Sequence, residues 1–381
     1  MGLERRSPDR HRGAPHRACG NSSHPRAPYR RKHRTSRPAP PAGGGRSAQF
    51  PTLPGQRRPR TLSPRKATHP PMNKPSAIGY DQPLFIQPFD HRGSFTKSYF
   101  GFRGAPEISP GNDGFGPVAA AKSLIYRGLL RAIEGGVPKE QVGILVDAQF
   151  GSQVLADAAA RGIPRAVCIE KSGQSVFDFE YGVRWVTHIR YHRPQIVKVL
   201  VRLHPDDPVA DTAVQLSRLQ LVSDYLHGPE RRLFMFELLV PATTPEDKEA
   251  GAAYDRDLRP GHMVRAIHMI QDFGIEPDIW KIEGVDRAED AEKVAAAVRS
   301  GPGRERVGSI VLGRGSDAAQ VHEWLRVAAP VDGFIGFAVG RTNFREPLGA
   351  YLNGQLPEAD AIAQIAANYR SCVDTWRAAK G

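Results

Sequence analysis

The chain has 381 residues, a formal net charge of +13 and 40% hydrophobic residues. This length suits two or three average domains, or one large α/β barrel with a tail. Three cysteines (Cys19, Cys168 and Cys372) are too few for a disulfide framework, which favours a reducing, cytoplasmic location. No run of about eighteen apolar residues is present, which excludes an ordinary transmembrane helix and argues against a membrane partner.

The positive charge belongs entirely to the first 71 residues. They contain 15 Arg and 2 Lys against Glu4 and Asp9, which makes +15 and leaves −2 for the remainder. They also hold 13 of the 33 prolines and almost no aliphatic side chains. Such a segment buries too little apolar surface to offset the entropy of ordering it. We therefore expect a disordered basic extension over residues 1–71 and a folded domain over residues 72–381.

Three interpretations of this extension compete. A nucleic-acid-binding arm would use its arginines to neutralise phosphates. A targeting peptide would share the Arg-rich, acid-poor composition, but the prolines disfavour an amphipathic helix and no apolar signal region is present. The third interpretation, which we favour, is that the natural start is Met72, directly before the first strand-like run. Nucleic acid is accordingly not the expected partner.

From Met72 onward, short apolar runs alternate with longer segments of helical period, as in a parallel α/β protein. The runs predict eight strands: Leu84–Phe89, Val142–Asp147, Ala166–Glu170, Ile196–Leu203, Leu233–Leu239, Asp278–Glu283, Val307–Leu312 and Gly333–Val339. The segments between and after them predict helices near Val118–Glu134, Gln153–Arg161, Ser175–His188, Asp211–His227, Tyr254–Phe273, Arg287–Arg299, Asp317–Ala328 and Pro357–Ala379. Eight strand–helix units in this length predict a (β/α)8 TIM barrel. A doubly wound sheet is the alternative, but no G-x-G-x-x-G motif follows the first strand.

Two lysines inside otherwise apolar strands, Lys198 and Lys281, are the most informative polar residues. A buried ammonium is costly, and desolvation favours the neutral amine, which attacks carbonyl carbon to form a Schiff base. Glu237, between Phe236 and Leu238, is the candidate general acid/base. Simple ion pairs that stabilise the barrel explain these three residues equally well.

Further polar residues fall at strand ends, where a TIM barrel carries its active site. Glu283 shares a strand face with Lys281 because side chains alternate along a strand. Asp90 and Arg92 follow the first strand and His204 follows the fourth. These residues are candidates to tune the lysine or to bind substrate.

The last two strand ends predict a phosphate site. Gly313-Arg314 follows the seventh strand and Gly340-Arg341 follows the eighth. Barrels often bind phosphate with these two loops, because glycine lets backbone N–H groups approach and arginine makes bidentate contacts. Tight turns with solvent-facing arginines are the alternative.

A divalent-metal site is the main mechanistic alternative. His188 and His192 have the spacing of two ligands on one helix, although Pro194 indicates that the helix ends nearby, and His91 and His204 lie at strand ends. Scattered single histidines are usually not ligands, so we expect neither a metal nor a cofactor. Cys168 is expected to be a core residue.

Several stretches together resemble a known family. They are "PFDHRGSF" (Pro88–Phe95), "VKVLVRLHPDD" (Val197–Asp207), "FMFELLVP" (Phe234–Pro241), "PDIWKIEG" (Pro277–Gly284), "GFAVGRTNFREPL" (Gly336–Leu348) and "ANYR" (Ala367–Arg370). Over residues 80–381 the chain resembles the 5-dehydro-2-deoxyphosphogluconate aldolase-type domain, a domain of unknown function often fused behind a sugar kinase in inositol-catabolism proteins. That domain is similar to class I tagatose-bisphosphate and fructose-bisphosphate aldolases.

The resemblance implies a metal-independent aldolase of inositol or carbohydrate catabolism. An aldolase of this kind would cleave a phosphorylated keto sugar acid such as 2-deoxy-5-keto-gluconate 6-phosphate to dihydroxyacetone phosphate and malonate semialdehyde. The implied catalytic residues are Lys281 (Schiff base), Glu237, Lys198 and Asp90. The implied or candidate substrate- and phosphate-binding residues are Arg92, Glu283, His204, Gly313, Arg314, Gly340 and Arg341. "LVDAQFG" (Leu145–Gly151) departs from the "DDRYG"-like stretch of the family, which bears on substrate identity more than on the lysine chemistry.

Two other functional classes stay open at this point. One is a divalent-metal-dependent sugar-phosphate lyase or isomerase. The other is a non-catalytic barrel that binds a sugar phosphate and regulates a partner. The expected partner in every case is a small sugar phosphate, and a homo-oligomer is compatible with the sequence.

Overall fold

The computed structural model describes residues 77–102 and 115–381. The predicted basic extension and Met72 lie outside these residues. Eight parallel strands form a closed barrel in chain order, and β8 pairs with β1. The strands are β1 Leu84–Pro88, β2 Val142–Val146, β3 Arg165–Cys168, β4 Ile196–Arg202, β5 Leu233–Leu239, β6 Ile279–Glu283, β7 Gly308–Leu312 and β8 Phe334–Ala338. The predicted (β/α)8 barrel is confirmed.

The strands read as nearly continuous apolar runs because both of their faces are buried. One set of alternate residues, including Ile86, Met235 and Ile310, packs inside the barrel. The other set, including Phe85 and Trp280, packs against the surrounding helices. The apolar side chains inside the barrel close its lower part, so the polar residues of the same faces gather at the C-terminal ends of the strands.

Eleven α-helices lie among the described residues. They are α1 Gly93–Phe100, α2 Phe115–Glu134, α3 Ala148–Ala160, α4 Trp185–His192, α5 Val209–Leu226, α6 Pro245–Ala250, α7 Arg259–Asp272, α8 Ala288–Val298, α9 Ala318–Ala328, α10 Arg341–Leu352 and α11 Glu358–Lys380. A π-helical turn, Tyr254–Leu258, leads into α7. No helix of the described part is both long and apolar enough to cross a membrane.

The helix predicted over Ser175–His188 differs from the structure, where α4 begins only at Trp185. The preceding segment is a loop because long-range contacts hold it. Phe179 forms an antiparallel bridge with Glu170, and the Phe177 N–H donates to the Gln215 side chain at 2.7 Å. The helical period of the sequence is therefore overridden by contacts with β3 and α5.

Three helices, α1, α6 and α10, were not predicted. The first and last of these begin directly after the loops at the ends of β1 and β8. Pro347 inside α10 interrupts its sequence pattern, which explains why periodicity does not reveal it. The N-terminus of α10 lies at the mouth of the barrel.

Candidate active site

The register of the barrel brings the two strand lysines and Glu237 together. Glu237 on β5 pairs in register with Lys281 on β6, and Leu200 on β4 pairs with Glu237. Lys198 lies two residues before Leu200 on the same face of β4, because side chains alternate along a strand. Adjacent parallel strands therefore place all three side chains inside the barrel near its C-terminal end.

Lys198 lies at the centre of three carboxylates. Its Nζ is 2.9 Å from Asp90 Oδ2, 2.9 Å from Glu170 Oε1 and 2.6 Å from Glu237 Oε2. All four side chains are buried. Burial alone would lower the pKa of Lys198, but the three negative charges outweigh burial and raise it well above its usual value. Lys198 is thus a stable cation that gathers carboxylates from β1, β3 and β5.

Lys281 has a different environment. Its Nζ donates a hydrogen bond to Glu237 Oε1, so Glu237 lies between the two lysines. Burial would raise the pKa of Glu237, but the charges of Lys198 and Lys281 outweigh it and lower that pKa. Glu237 is therefore an ionised carboxylate in direct contact with Lys281, able to accept a proton from its amine.

The remaining two carboxyls around Lys198 are held differently from each other. Burial opposes ionisation of Asp90, yet Lys198 lowers its pKa below the usual value. Burial prevails at Glu170 and raises its pKa, and its Oε2 atom makes no hydrogen bond to any of the described residues. The site therefore combines one carboxyl with a lowered pKa and one with a raised pKa, an arrangement that suits proton transfer.

Arg92 lies beside this cluster but its guanidinium is already engaged. Nη1 is 2.7 Å from Glu180 Oε2, and Nη2 donates to the Glu170 carbonyl oxygen. Arg92 thus fixes the loop after β3 against the end of β1. It also lines part of the cavity described next.

A cavity with two lobes opens above the lysines. One lobe, of about 400 Å³, lies beside the ends of β6, β7 and β8 and is lined by Lys281 and Glu283. The other, of about 480 Å³, lies beside the ends of β1, β3 and β4 and is lined by Lys198. Glu237 lines both lobes. The volumes fall within the range of roughly 300–1,000 Å³ that is typical of small-molecule sites.

The predicted phosphate loops line the first lobe together, including Gly313, Gly340 and Arg341. Helix α10 begins at Arg341, and no side chain in the described part of the chain caps it, so the positive end of its dipole is available to an anion there. Arg341 Nη2 donates to the Arg314 carbonyl oxygen at 2.7 Å. A Cβ on Gly315 would lie 2.6 Å from the Arg341 guanidinium carbon, so only glycine leaves room for this contact.

Arg314 and Glu283 pair with each other. Arg314 Nε is 2.8 Å from Glu283 Oε1, and its Nη1 is 2.6 Å from Asp255 Oδ1. The other Glu283 oxygen accepts the Val240 N–H at 2.9 Å. Arg314 also has a left-handed backbone (φ 47°), which is uncommon outside glycine. Both residues line the first lobe, but the Arg314 guanidinium is held by carboxylates within the protein.

His204 lies elsewhere, fully buried and not among the residues that line the cavity. Its Nε2 is 3.0 Å from Asp247 Oδ2, and His262 Nε2 is 3.1 Å from Asp247 Oδ1. These three side chains are close enough to share a metal ion. However, the Asp206 N–H donates to His204 Nδ1 at 3.2 Å, which places the imidazole proton on Nε2, the atom that a metal would need. A proton on Nε2 leaves no lone pair there for a metal ion, and the contact of His204 with Asp247 at 3.0 Å is a polar contact without hydrogen-bond geometry among the described residues.

A second group of potential ligands, Asp90, Cys168 and Glu170, surrounds Lys198. The lysine ammonium already supplies the positive charge there. The predicted pair His188 and His192 lies on α4 with rings 4.7 Å apart. Within the described residues, neither histidine joins a group of three potential ligands.

Sequence reasoning omitted some residues of the site. Glu170 was recognised as a strand end but not selected, although its position is the same signal that selected Asp90. Arg202, four residues after Lys198 on the same strand face, lines both lobes. Lys97 on α1 and Lys171 after β3 line the second lobe. Only the position of α1 reveals Lys97, whereas Lys171 directly follows the predicted third strand and carries the same strand-end signal as Asp90.

Comparisons with known proteins agree with the fold. A family described as uncharacterized protein conserved in bacteria (DUF2090) matches residues 84–380. No curated protein matches the sequence. A fructose-bisphosphate aldolase from Plasmodium falciparum, solved with TRAP and an inhibitor, is similar in structure with a TM-score of 0.54 and 9% identity, over 78% of this chain and 91% of that chain. The protein Cgl0159 from Corynebacterium glutamicum gives a TM-score of 0.46 and 17% identity, over 77% of this chain and 88% of that chain. The similarity to the aldolase from Plasmodium falciparum is one of fold.

Proposed function

The chain belongs to this family of uncharacterized proteins conserved in bacteria, and from that premise we propose that it is a class I aldolase acting on a phosphorylated keto sugar acid. One observation carries the proposal. Lys281 lines a cavity, contacts an ionised carboxylate and shares its lobe with two glycine- and arginine-bearing loops. A lysine, a base and an anion site in one lobe are the parts that Schiff-base cleavage of a sugar phosphate requires.

The covalent step begins at Lys281. Its ammonium gives a proton to Glu237, and the neutral amine attacks the substrate ketone to form a carbinolamine. Loss of water then gives a protonated imine. Glu237 Oε1 is the proton acceptor because it already receives the hydrogen bond from Lys281. Lys198 is the less suitable nucleophile, since three carboxylates hold it as a cation.

Carbon–carbon cleavage follows from the electron demand of the iminium. A carboxylate, Glu237 or Asp90, removes the proton of the hydroxyl on the β-carbon. The aldehyde leaves, and the electrons of the broken bond form an enamine on Lys281. Protonation of the enamine and addition of water release the second product and restore the amine. Lys198 keeps both bases ionised, which the lowered pKa values of Asp90 and Glu237 support.

The two lobes suit a substrate with an anion at each end. Arg341, the N-terminus of α10 and the backbone of Gly313 would hold the phosphate, as in many barrels. In the other lobe, the cations Lys171 and Arg202 would face a carboxylate. This supports 2-deoxy-5-keto-gluconate 6-phosphate as substrate, with dihydroxyacetone phosphate and malonate semialdehyde as products.

The test is borohydride reduction of the full chain in the presence of dihydroxyacetone phosphate, followed by peptide mapping. We expect a covalent adduct on Lys281, together with cleavage of the keto sugar acid phosphate. Lys281→Met should lose both, whereas the matched control Lys293→Met, at an exposed site on α8, should keep both. Full cleavage by Lys281→Met would overturn the proposal. Cleavage that EDTA abolishes, without an adduct, would indicate metal chemistry instead, and sugar phosphate binding with neither adduct nor cleavage would indicate a regulatory barrel.

A further inference from the structure

A lysine outside the cavity is buried in direct contact with the end of β1. Lys122 on α2 is fully buried. Its Nζ donates to the Phe89 carbonyl oxygen at 2.7 Å, to the His91 carbonyl oxygen at 3.0 Å and to the Asp147 carboxylate. An ammonium has three donors, and these contacts use all of them.

The two carbonyls lie on either side of Asp90. The last backbone hydrogen bond from this strand to β2 runs from the Phe89 N–H to the Leu145 carbonyl, so Asp90 lies beyond the regular sheet. Lys122 holds the chain at this point through the peptide group that precedes Asp90 and the one that follows His91. Anchoring the Asp90–His91 pair at both ends restricts the backbone of Asp90, and with it the direction of the carboxylate that meets Lys198 at 2.9 Å.

A charged residue at the buried position of Lys122 requires a physical explanation. A buried ion pair is often no more stable than apolar side chains of the same volume. Aromatic rings surround the ammonium, with the centroids of Phe95 and Phe150 at 5.2 and 5.7 Å. An apolar side chain would pack well in such a setting, but it would leave both carbonyls without a donor. The ammonium therefore serves the geometry of the backbone around Asp90.

We propose that Lys122 is a positioning residue for the aldolase reaction and acts through Asp90. The inference rests on the proposed function. Lys122 reaches no substrate, and its contribution is the placement of one of the two bases. Its partner Asp147 adds a second anchor, because the other Asp147 oxygen accepts the Phe150 N–H at 2.9 Å and caps α3.

The experiment is a mutant cycle in the full chain. Lys122→Met is combined with Asp147→Asn, because the lysine variant alone leaves a buried, unpaired carboxylate and risks misfolding. The asparagine side chain would keep the oxygen that caps α3. We expect kcat of the double variant to fall about 100-fold, the usual effect of misplacing a catalytic group by about 1 Å. In an Asp90→Asn background, the same pair of changes should alter kcat by less than about twofold.

The matched control removes an ion pair at the opposite end of the barrel. Arg304→Met with Glu276→Gln takes away a pair at 2.6 Å and should lower the melting temperature with kcat unchanged. An unchanged kcat in the Lys122 double variant, with a lower melting temperature only, would overturn the positioning role and leave the aldolase proposal intact. An equal fall of kcat in the Asp90→Asn background would also overturn it. A wild-type chain with neither adduct nor cleavage would overturn both proposals.

Discussion

Substituting Lys198 by methionine tests the charge arrangement at the centre of the barrel. The change removes the cation that lies within 2.9 Å of Asp90, Glu170 and Glu237 and keeps most of the side-chain volume. Removing one partner of a buried ion pair destabilises a protein by about 3–5 kcal/mol. Asp90 and Glu170 lose their lysine partner while Glu237 keeps its contact with Lys281, and we expect at least this loss of unfolding free energy at pH 8.

The pH dependence of the unfolding free energy should also change sign. In the wild type the folded-state pKa values of Asp90 and Glu237 are lowered, so their contribution is present above the unfolded value of about 4 and is lost as pH falls below it. Without Lys198, we expect burial to raise the pKa of Asp90 and to keep that of Glu170 raised, while Lys281 still contacts Glu237. The contribution of each carboxyl whose pKa is raised is then present below about pH 4 and is lost as pH rises, at about 1.4 kcal/mol for each carboxyl and pH unit within the shifted interval.

Urea unfolding at pH 5 and pH 8, followed by the fluorescence of the buried Trp280, measures both effects. Lys198→Met should be more stable at pH 5 than at pH 8. The control Lys293→Met removes an exposed ammonium whose partner Asp290 keeps Arg287 as a second nearby cation, and it should cost less than about 1 kcal/mol at either pH. A Lys198→Met variant within about 1 kcal/mol of the wild type at pH 8 would refute the reasoning, and so would one that gains stability as pH rises.

Three further predictions follow from single contacts. Arg341→Met should raise KM for the sugar phosphate about 100-fold with little change in kcat, because a charge-assisted contact worth roughly 2–3 kcal/mol is lost from the phosphate site; steady-state kinetics measures this. Gly340→Ala places a Cβ in steric conflict with the Pro88 carbonyl oxygen and should lower the unfolding free energy by about 1–3 kcal/mol. The control Gly349→Ala, inside α10 where a Cβ meets open space, should raise the unfolding free energy by up to about 1 kcal/mol. Burial opposes ionisation of Asp278, but its hydrogen bonds outweigh burial and hold its pKa at about 2. About 2–3 kcal/mol of unfolding free energy should therefore be lost as pH falls from 4 to 2. Asp278→Asn should abolish this loss, which acid titrations of unfolding measure.

Much of the fold could be predicted from the local pattern of apolar and polar residues. All eight strands lie within one or two residues of their predicted bounds, because strands buried on both faces must be apolar throughout. Strand order follows from chain order once helices alternate with strands. The helix predicted over residues 175–188 failed for the opposite reason, since Phe177 and Phe179 are held by residues distant in sequence.

The composition of the candidate site was predictable in part. Residues inside the strands, such as Lys198, Glu237 and Lys281, share a barrel face by alternation alone. Of the loop candidates, Asp90, Gly313 and Arg341 line the cavity as expected, whereas His204 does not. His204 follows β4 as expected, yet it turns away to contact Asp247 after β5, a contact that depends on helices α6 and α7.

The sequence by itself determined the barrel, the location of two lysines and a glutamate within apolar strands, and the glycine- and arginine-bearing loops at strand ends. Periodicity and strand ends are local properties that amino-acid order expresses directly. Only the tertiary structure decided which charges meet. It assigned three carboxylates to Lys198 and one to Lys281, and it engaged Arg314 with Glu283. These pairings depend on the stagger and closure of eight strands, which bring together side chains far apart in the chain.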